Sequence, residues 1–168
     1  IDIFYDEETG DFKFCEFNTD GTSAMNEDRE LNIAFSQTKA YQEFAKAHCL
    51  TSFELFDTWV DEVLKLYEEF ATYRGNEEPV LKGVADLPNV AIVDFMESAT
   101  ENEFRIFVDR FEKRGCRAEI CDIRNIRWDG ERCVTPTGME VDVIYRRAVT
   151  SDILSHMDEV QNFIAAAE

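Results

Sequence analysis

Two apolar runs separated by a helical pattern constrain the fold more than any other part of this sequence. Residues 90–95 are almost continuously apolar, as expected of a strand that is buried on both faces. Residues 100–115 then place Phe and Val at helical spacing before Gly115, and residues 117–121 follow as a second strand. A strand, a helix and a strand within about thirty residues predict a parallel βαβ unit.

Hairpins and helices are predicted around this unit. Residues 1–6 and 11–18 alternate in polarity around a Glu-Glu-Thr-Gly turn, which is typical of a β-hairpin, and one or two helices follow, ending near Leu50. A second hairpin is predicted around Thr137-Gly138, with strands at residues 131–135 and 139–145, and a last helix from Thr150 or Ser151 to Ala167. We therefore expect an α/β fold with a mixed sheet and flanking helices.

Two tetrapeptides have the composition of capping boxes, in which Thr and Glu side chains bond each other's backbone N–H groups. Thr51-Ser52-Phe53-Glu54 precedes a long amphipathic stretch that we expect to end at Arg74-Gly75, and Thr100-Glu101-Asn102-Glu103 opens the helix of the βαβ unit. We expect these two helices to begin at the threonines.

The length and composition suit a single α/β domain over residues 1–168. Gly and Pro turn signals mark residues 75–89 as a connector between residues 1–74 and 90–168. The strand pattern begins at the first residue, without an initiator Met. We therefore interpret the chain as a fragment of a longer polypeptide.

The net charge of −19 would repel nucleic acid and anionic membranes, so neither is expected as a partner. Most of the acidic excess is interpreted as solvated surface. Residues 101–150 are balanced in charge and rich in Arg, and they could face an anionic ligand. The sequence does not predict an oligomeric state.

The cysteines indicate neither a disulfide framework nor a zinc site, because five of them occur with only two histidines and without a CxxC pair. We interpret them as small buried residues in a reducing compartment. No apolar run approaches the roughly 20 residues of a membrane span. The expected location is the cytoplasm.

Glu16 and Asn18 form a candidate metal site where a predicted strand runs into a turn. Residues two apart share one face of a strand, so the two side chains should project together. Asp2, on the neighbouring strand, could add a third oxygen ligand of the kind that Mg²⁺ prefers. Turn chemistry alone would equally explain Asn18-Thr19-Asp20-Gly21.

Other candidate residues lie at predicted strand ends. Glu97 and Thr100 follow the first strand of the βαβ unit, at a helix N-terminus, where open α/β sheets bind ligands. Arg147 follows another strand and could hold a carboxylate through two parallel hydrogen bonds. A plain helix cap and a surface arginine are the alternative interpretations.

These motifs together resemble a known family. The sequence E-x-N-x-D-G-T-S from Glu16, followed by Glu27, the βαβ unit, D-I-R-N-I-R-W-D-G from Asp122 and V-I-Y-R-R from Val143, resembles the glutathionylspermidine synthase family of ATP-grasp ligases. It is similar, more distantly, to eukaryotic-type glutathione synthetase. The resemblance implies a pre-ATP-grasp-like fold and formation of an amide from a carboxylate and an amine, with magnesium and ATP, through an acyl phosphate.

The resemblance also implies roles for individual residues. It assigns the metal to Asp2, Glu16 and Asn18, and the substrate to Thr22, Ser23, Glu27, Glu97, Thr100 and Arg147, with Arg147 also catalytic. The substrates implied are a small thiol peptide, or another carboxylate, and an amine. The nucleotide-binding half of such a ligase is missing from these residues, so the chain would be a substrate-side domain that is inactive alone.

A second hypothesis from a different class remains open. The same strand ends could recognise a peptide or protein without catalysis, as a binding module with an α/β fold.

Overall fold

A computed structural model describes residues 1–73 and 87–167, without the side chains of residues 71–73. The strands are β1 (Asp2–Tyr5), β2 (Phe12–Glu16), β3 (Asn89–Asp94), β4 (Arg117–Asp122), β5 (Arg127–Trp128), β6 (Cys133–Val134) and β7 (Val143–Arg146). The helices are α1 (Met25–Ser36), α2 (Lys39–Phe44), α3 (Leu55–Tyr73), α4 (Glu101–Lys113), α5 (Thr150–Ser155) and α6 (Gln161–Ala167), with 3₁₀ turns at Ile123–Asn125 and Met157–Glu159.

The centre of the fold is a parallel sheet of three strands in the order β4-β3-β7. The central strand β3 aligns Val93 with Cys121 of β4 and with Arg146 of β7. The predicted parallel βαβ unit is therefore confirmed, as is the α/β class with an N-terminal hairpin and flanking helices. The antiparallel pairs β1-β2 and β5-β6 form two small sheets of their own.

The two faces of the parallel sheet carry separate cores, because successive residues of β3 point to opposite sides. Val90 and Ile92 pack with α3 and α4, through aromatic residues such as Phe107. Ala91 and Val93 pack on the other face with residues around α5 and α6. The chain thus leaves β3 towards one face and β7 towards the other, which is the topology at which open α/β sheets form a ligand crevice between carboxyl ends.

The N-terminal hairpin forms where the alternation predicted it, with β1 antiparallel to β2. No residue of either strand is buried. Seven large apolar side chains of the hairpin and its flanking residues are exposed: Ile1, Ile3, Phe4, Tyr5, Phe12, Phe14 and Phe17. The hairpin is therefore attached to the rest of the described chain through the loop that follows it, not through a core of its own.

Both capping-box predictions are wrong in detail. Helix α3 begins at Leu55 rather than Thr51, and its cap is the Glu54 carboxylate, which accepts a hydrogen bond from the Asp57 N–H at 2.5 Å. Helix α4 does begin after Thr100, but the Thr100 side chain makes no cap hydrogen bond. The fourth residue of that box, Glu103, points instead into the interior.

The predicted second hairpin is confirmed only around its turn, where the Thr135 N–H donates to the Met139 carbonyl oxygen and the Val141 N–H to that of Cys133. A tight turn does bring Glu140 opposite Val134, yet this is an isolated bridge, and the next segment leaves to pair with β3 in parallel. The reason is burial: Val143 and Ile144 of β7 each pack on a different core of the sheet.

The single C-terminal helix predicted from Thr150 or Ser151 is divided into α5, a 3₁₀ turn and α6. Helix α5 begins at Thr150, and the break follows at His156, whose backbone leaves the helical region at φ −123°. Ile153, before the break, and Phe163, after it, pack on the same core.

The helical region before Leu50 consists of two helices, α1 and α2. The helix end predicted at Arg74-Gly75 and most of the connector predicted at 75–89 lie outside the described residues. Among the helices of residues 1–73 and 87–167, none combines the length and the apolar character that crossing a bilayer requires.

Candidate functional site at the carboxyl edge of the parallel sheet

The loop after the N-terminal hairpin lies against the carboxyl end of β7. We call residues 18–24 the docked loop. It reaches the crevice between the ends of β3 and β7, which is where open parallel sheets place their ligands. Three of its residues make contacts there: Asp20, Gly21 and Thr22.

Asp20 fixes one side of the docked loop. Its carboxylate accepts hydrogen bonds from the Thr150 backbone N–H at 2.9 Å and the Thr150 hydroxyl at 3.1 Å, and it lies 3.0 Å from Nη2 of Arg146. The Thr150 N–H bond, assisted by Arg146, lowers the pKa of Asp20. The residue therefore remains a carboxylate at neutral pH and forms the link between the loop and the start of α5.

Position 21 requires glycine for two reasons: its backbone conformation, and the close approach of the loop to residues 147–149. Its φ of +62° is in the left-handed region. A Cβ at this position would lie 2.6 Å from Cγ1 of Val149 and 2.7 Å from the Arg147 carbonyl oxygen. Any side chain at position 21 would push the loop away from the sheet.

Arg147 fixes the other side of the loop from inside the protein. Its Nη1 donates to the Thr22 carbonyl oxygen and, at 2.8 Å, to the Tyr145 hydroxyl. Its Nη2 forms an ion pair with Oε1 of Glu103 at 2.9 Å. Arg147 is only 5% exposed and Glu103 only 1%, so the pair is buried.

The surroundings of this ion pair are partly aromatic. The centre of the Arg147 guanidinium lies 5.5 Å from the ring centres of Phe104 and Tyr145, within cation–π range. Burial raises the pKa of Tyr145, so its hydroxyl stays protonated at neutral pH. One donor, Arg147 Nε, is buried and makes no hydrogen bond within the part of the chain described here.

The end of β4 carries a second polar cluster. Arg124 binds Glu97 through two hydrogen bonds, at 3.0 and 2.6 Å, and also binds Asp122. Asp122 additionally accepts the Met96 N–H at 3.3 Å. The hydrogen bond from Arg124 is the main cause of the lowered pKa of Asp122, and it contributes to the lowered pKa of Glu97.

Asp94 ends the central strand between these two clusters. One of its oxygens accepts the Phe95 N–H at 2.8 Å. Partial burial raises the pKa of Asp94, and nearby Asp152 and Asp122 add to that rise. The folded protein therefore disfavours the charged form of Asp94 relative to the same group in water.

The candidate metal ligands lie at the base of the hairpin. The Asn18 amide donates to the Glu16 carboxylate at 3.3 Å, so the two side chains do project together. Asp2 pairs with Glu16 in the strand register. All three residues are exposed, and the chemistry of the set, two carboxylates and an amide oxygen, fits a Mg²⁺ ion that keeps several waters.

A cluster of three or more His, Cys, Asp or Glu side chains suited to a metal does not occur among residues 1–73 and 87–167. A cation at the hairpin would therefore rest on two acids and the Asn18 amide.

The structure joins some of the predicted substrate residues and separates others. Thr22 meets Arg147 through its carbonyl group, and Glu97 is held by Arg124. Ser23 is exposed in the docked loop, Glu27 is exposed in the first turn of α1, and Thr100 is exposed just before α4. Within the described residues, no hydrogen bond links these last three side chains to Arg147.

Several residues that build this edge are not identified by the sequence analysis, notably Asp20, Asp94, Glu103 and Arg146. For Glu103 a signal was present: it lies four residues before Phe107 and eight before Phe111, on the apolar stripe of the helix. An acid on such a stripe indicates a buried partner.

No protein-family model matches the chain, and no curated protein matches it. The likeness to glutathionylspermidine synthases therefore rests on the sequence motifs alone.

Proposed function

We propose that this chain is the substrate- and magnesium-binding domain of an ATP-dependent carboxylate–amine ligase similar to glutathionylspermidine synthase. The observation that carries the proposal is the contact between Glu16 and Asn18, whose side chains meet at 3.3 Å beside Asp2. This is the donor set that the resemblance assigns to the metal. The docked loop that follows lies at the edge of the parallel sheet where ligands are expected.

In this proposal Asp2, Glu16 and Asn18 hold the cation at the base of the hairpin. Magnesium, when bound with ATP, supplies charge neutralisation for transfer of a phosphoryl group to the substrate carboxylate. The protein's part is to fix the oxygen ligands and to orient the acyl donor. The phosphate-contacting lysines belong to the ATP-binding half that the resemblance implies.

The acyl donor, a small thiol peptide or another carboxylate, would lie along the sheet edge. Its contacts would be the exposed side chains of Thr22 and Ser23 on the docked loop and of Glu27 on α1, together with Glu97 and Thr100 after β3. Arg147 is buried and its Nη atoms already bind Thr22, Tyr145 and Glu103, so it would orient the donor by holding the docked loop and not by gripping a carboxylate through two hydrogen bonds. An amine then completes the amide bond.

Manganese titration of the chain tests the metal site, because paramagnetic Mn²⁺ broadens the NMR signals of nearby residues. We expect broadening centred on Glu16 and Asn18, and at least roughly tenfold weaker binding in Glu16→Ala and Asn18→Ala, the loss typical of removing a group that a metal site depends on. Glu8→Ala is the matched control, an exposed acid in the turn of the same hairpin. Equal binding by Glu16→Ala and Glu8→Ala would overturn the metal assignment.

A second measurement uses the ligase that the proposal implies, in which an ATP-binding half accompanies these residues. Glu16→Ala there should abolish magnesium-dependent phosphate release when a carboxylate and an amine are supplied. Unchanged release in Glu16→Ala would contradict the metal role of Glu16, and absence of such release in the unaltered protein would contradict the ligase proposal.

A non-catalytic module that binds peptide or protein is the second candidate. The exposed aromatic side chains of the hairpin favour it, because apolar surface of this kind marks interaction sites. Two results together would favour the binding module over the ligase: no ATP-dependent phosphate release, and an Mn²⁺ affinity that does not change in Glu16→Ala.

The same proposal places the protein in the cytoplasm. All five cysteines are free thiols, which suits a reducing compartment. Cys116, Cys121 and Cys133 are buried as expected, whereas the expectation is wrong for Cys15 and Cys49, which are exposed.

A further inference from the structure

Two consecutive arginines hold the docked loop from opposite sides. Arg146 pairs with the Asp20 carboxylate, and Arg147 donates to the Thr22 carbonyl oxygen. Neighbouring side chains of a strand point to opposite faces, so the end of β7 lies between the two contacts. Gly21 fills the narrow space between them, against Val149 and the Arg147 carbonyl.

These contacts are what the hairpin depends on for its position. None of the residues of β1 and β2 is buried, so the hairpin has no packed core that would orient it against the sheet. Asn18 precedes Asp20 by two residues. The place of the Glu16–Asn18 pair relative to the sheet edge is therefore set by the way the loop is held.

We propose that Asp20 and Arg146 are positioning residues that hold the Glu16–Asn18 pair in its cation-binding arrangement at the sheet edge. The inference rests on the proposed metal role of that pair. Neither Asp20 nor Arg146 touches the cation; both act through the docked loop.

The physical basis is preorganisation. A cation held by few protein ligands binds tightly only when those ligands are already in place, because ordering a loop on binding consumes part of the binding free energy. Groups that orient metal ligands without touching the metal typically change its affinity by roughly 10- to 100-fold. We expect a change of this size when the Asp20 contact is removed.

The experiment measures Mn²⁺ affinity on the full 168-residue chain by the same line broadening, in Asp20→Asn. Asp129→Asn is the matched control: like Asp20, Asp129 accepts two hydrogen bonds, here from the Glu131 and Arg132 N–H groups, and pairs with an arginine, Arg132, but it lies in the β5–β6 turn. Both variants remove one exposed carboxylate, so long-range effects of charge are balanced. Thermal unfolding of each variant confirms that the fold is retained.

We expect Asp20→Asn to weaken Mn²⁺ binding by roughly tenfold or more while Asp129→Asn does not. Arg146→Gln should weaken it similarly, and the double variant should be no weaker than Asp20→Asn alone, because both changes remove one interaction. Amide hydrogen exchange at Asn18 should rise in Asp20→Asn.

The outcomes separate this inference from the proposed function. Mn²⁺ binding that depends on Glu16 but is equal in Asp20→Asn and Asp129→Asn would overturn the positioning role and leave the metal site standing. Mn²⁺ binding that does not depend on Glu16 would overturn both.

Discussion

Arg147 and Glu103 form an ion pair inside the protein, with Nη2 of the arginine 2.9 Å from Oε1 of the glutamate. The pair joins four parts of the chain. Glu103 belongs to α4 and also lies 3.5 Å from the Asn26 N–H at the start of α1, and Arg147 follows β7 and binds the docked loop. The edge of the sheet is therefore held together by two buried charges.

Replacing one partner of this pair should be strongly destabilising. Glu103→Gln leaves the Arg147 guanidinium buried without its counter-charge, and we expect a loss of about 3–5 kcal/mol in the free energy of unfolding. Urea unfolding followed by tryptophan fluorescence measures it, since Trp59 packs 4.1 Å from Tyr145. The double change Glu103→Leu with Arg147→Met should recover much of that loss; a loss below about 1 kcal/mol in Glu103→Gln would contradict the prediction.

Gly21→Ala should destabilise the protein more than Gly138→Ala. Both glycines have positive φ, 62° and 88°, so each alanine suffers left-handed backbone strain of about 1–2 kcal/mol. Only at position 21 does the new methyl group also meet a backbone oxygen, at 2.7 Å, while nothing lies within 4 Å at position 138. We expect an additional loss of about 1 kcal/mol or more at position 21, measured by urea unfolding. Equal losses would contradict the close contact.

Asp94→Asn should stabilise the protein at neutral pH. Burial raises the pKa of Asp94 in the folded state, so folding favours the protonated acid and becomes less favourable as pH rises through that pKa. Asparagine retains an oxygen for the Phe95 N–H and carries no charge. The gain should disappear below about pH 4, the pKa of an unfolded Asp, where both proteins are neutral at this position. Unfolding free energies between pH 3 and 8 test this, and a gain independent of pH would refute it.

Asp122→Asn should have the opposite pH dependence. The hydrogen bond from Arg124 lowers the pKa of Asp122, so its carboxylate stabilises the fold above the unfolded pKa of about 4, and this contribution is lost as pH falls through the lower folded value. We expect a loss of about 1.5–3 kcal/mol at pH 7 that shrinks in acid. Glu97→Gln, a more exposed ligand of the same arginine, is the control and should change little. A larger effect at Glu97 would contradict this ranking.

Local periodicity was sufficient to predict the βαβ unit and the first hairpin. The apolar run at residues 90–95 and the spacing of Phe104, Phe107 and Phe111 have one simple explanation each, and the structure confirms both. The pairing of strands that are far apart in the sequence leaves no such local pattern. The segment that becomes β7 follows a turn and alternates, so an antiparallel hairpin was the local expectation, whereas burial against β3 decides its partner.

In the candidate site, too, local features were predictable from the sequence and long-range contacts were not. The shared direction of Glu16 and Asn18 follows from strand geometry and was predictable. The contacts of Asp20 with Thr150 and of Thr22 with Arg147 join residues more than a hundred positions apart, and nothing near either end indicates them. The burial of Glu103 was not predicted either. Thr100 and Glu103 match the composition of a capping box, and a glutamate can serve equally in a surface cap or in a buried ion pair.

The alternating directions of Arg146 and Arg147 restrict how this part of the chain can change in length. One inserted or deleted residue within β7 would exchange the sides to which the two guanidinium groups point, and would separate both from the loop at once. Turn residues around Gly138, with open space beside them, carry no such restriction. Length variation is therefore tolerated in the turn and excluded from the four residues of the strand that follows.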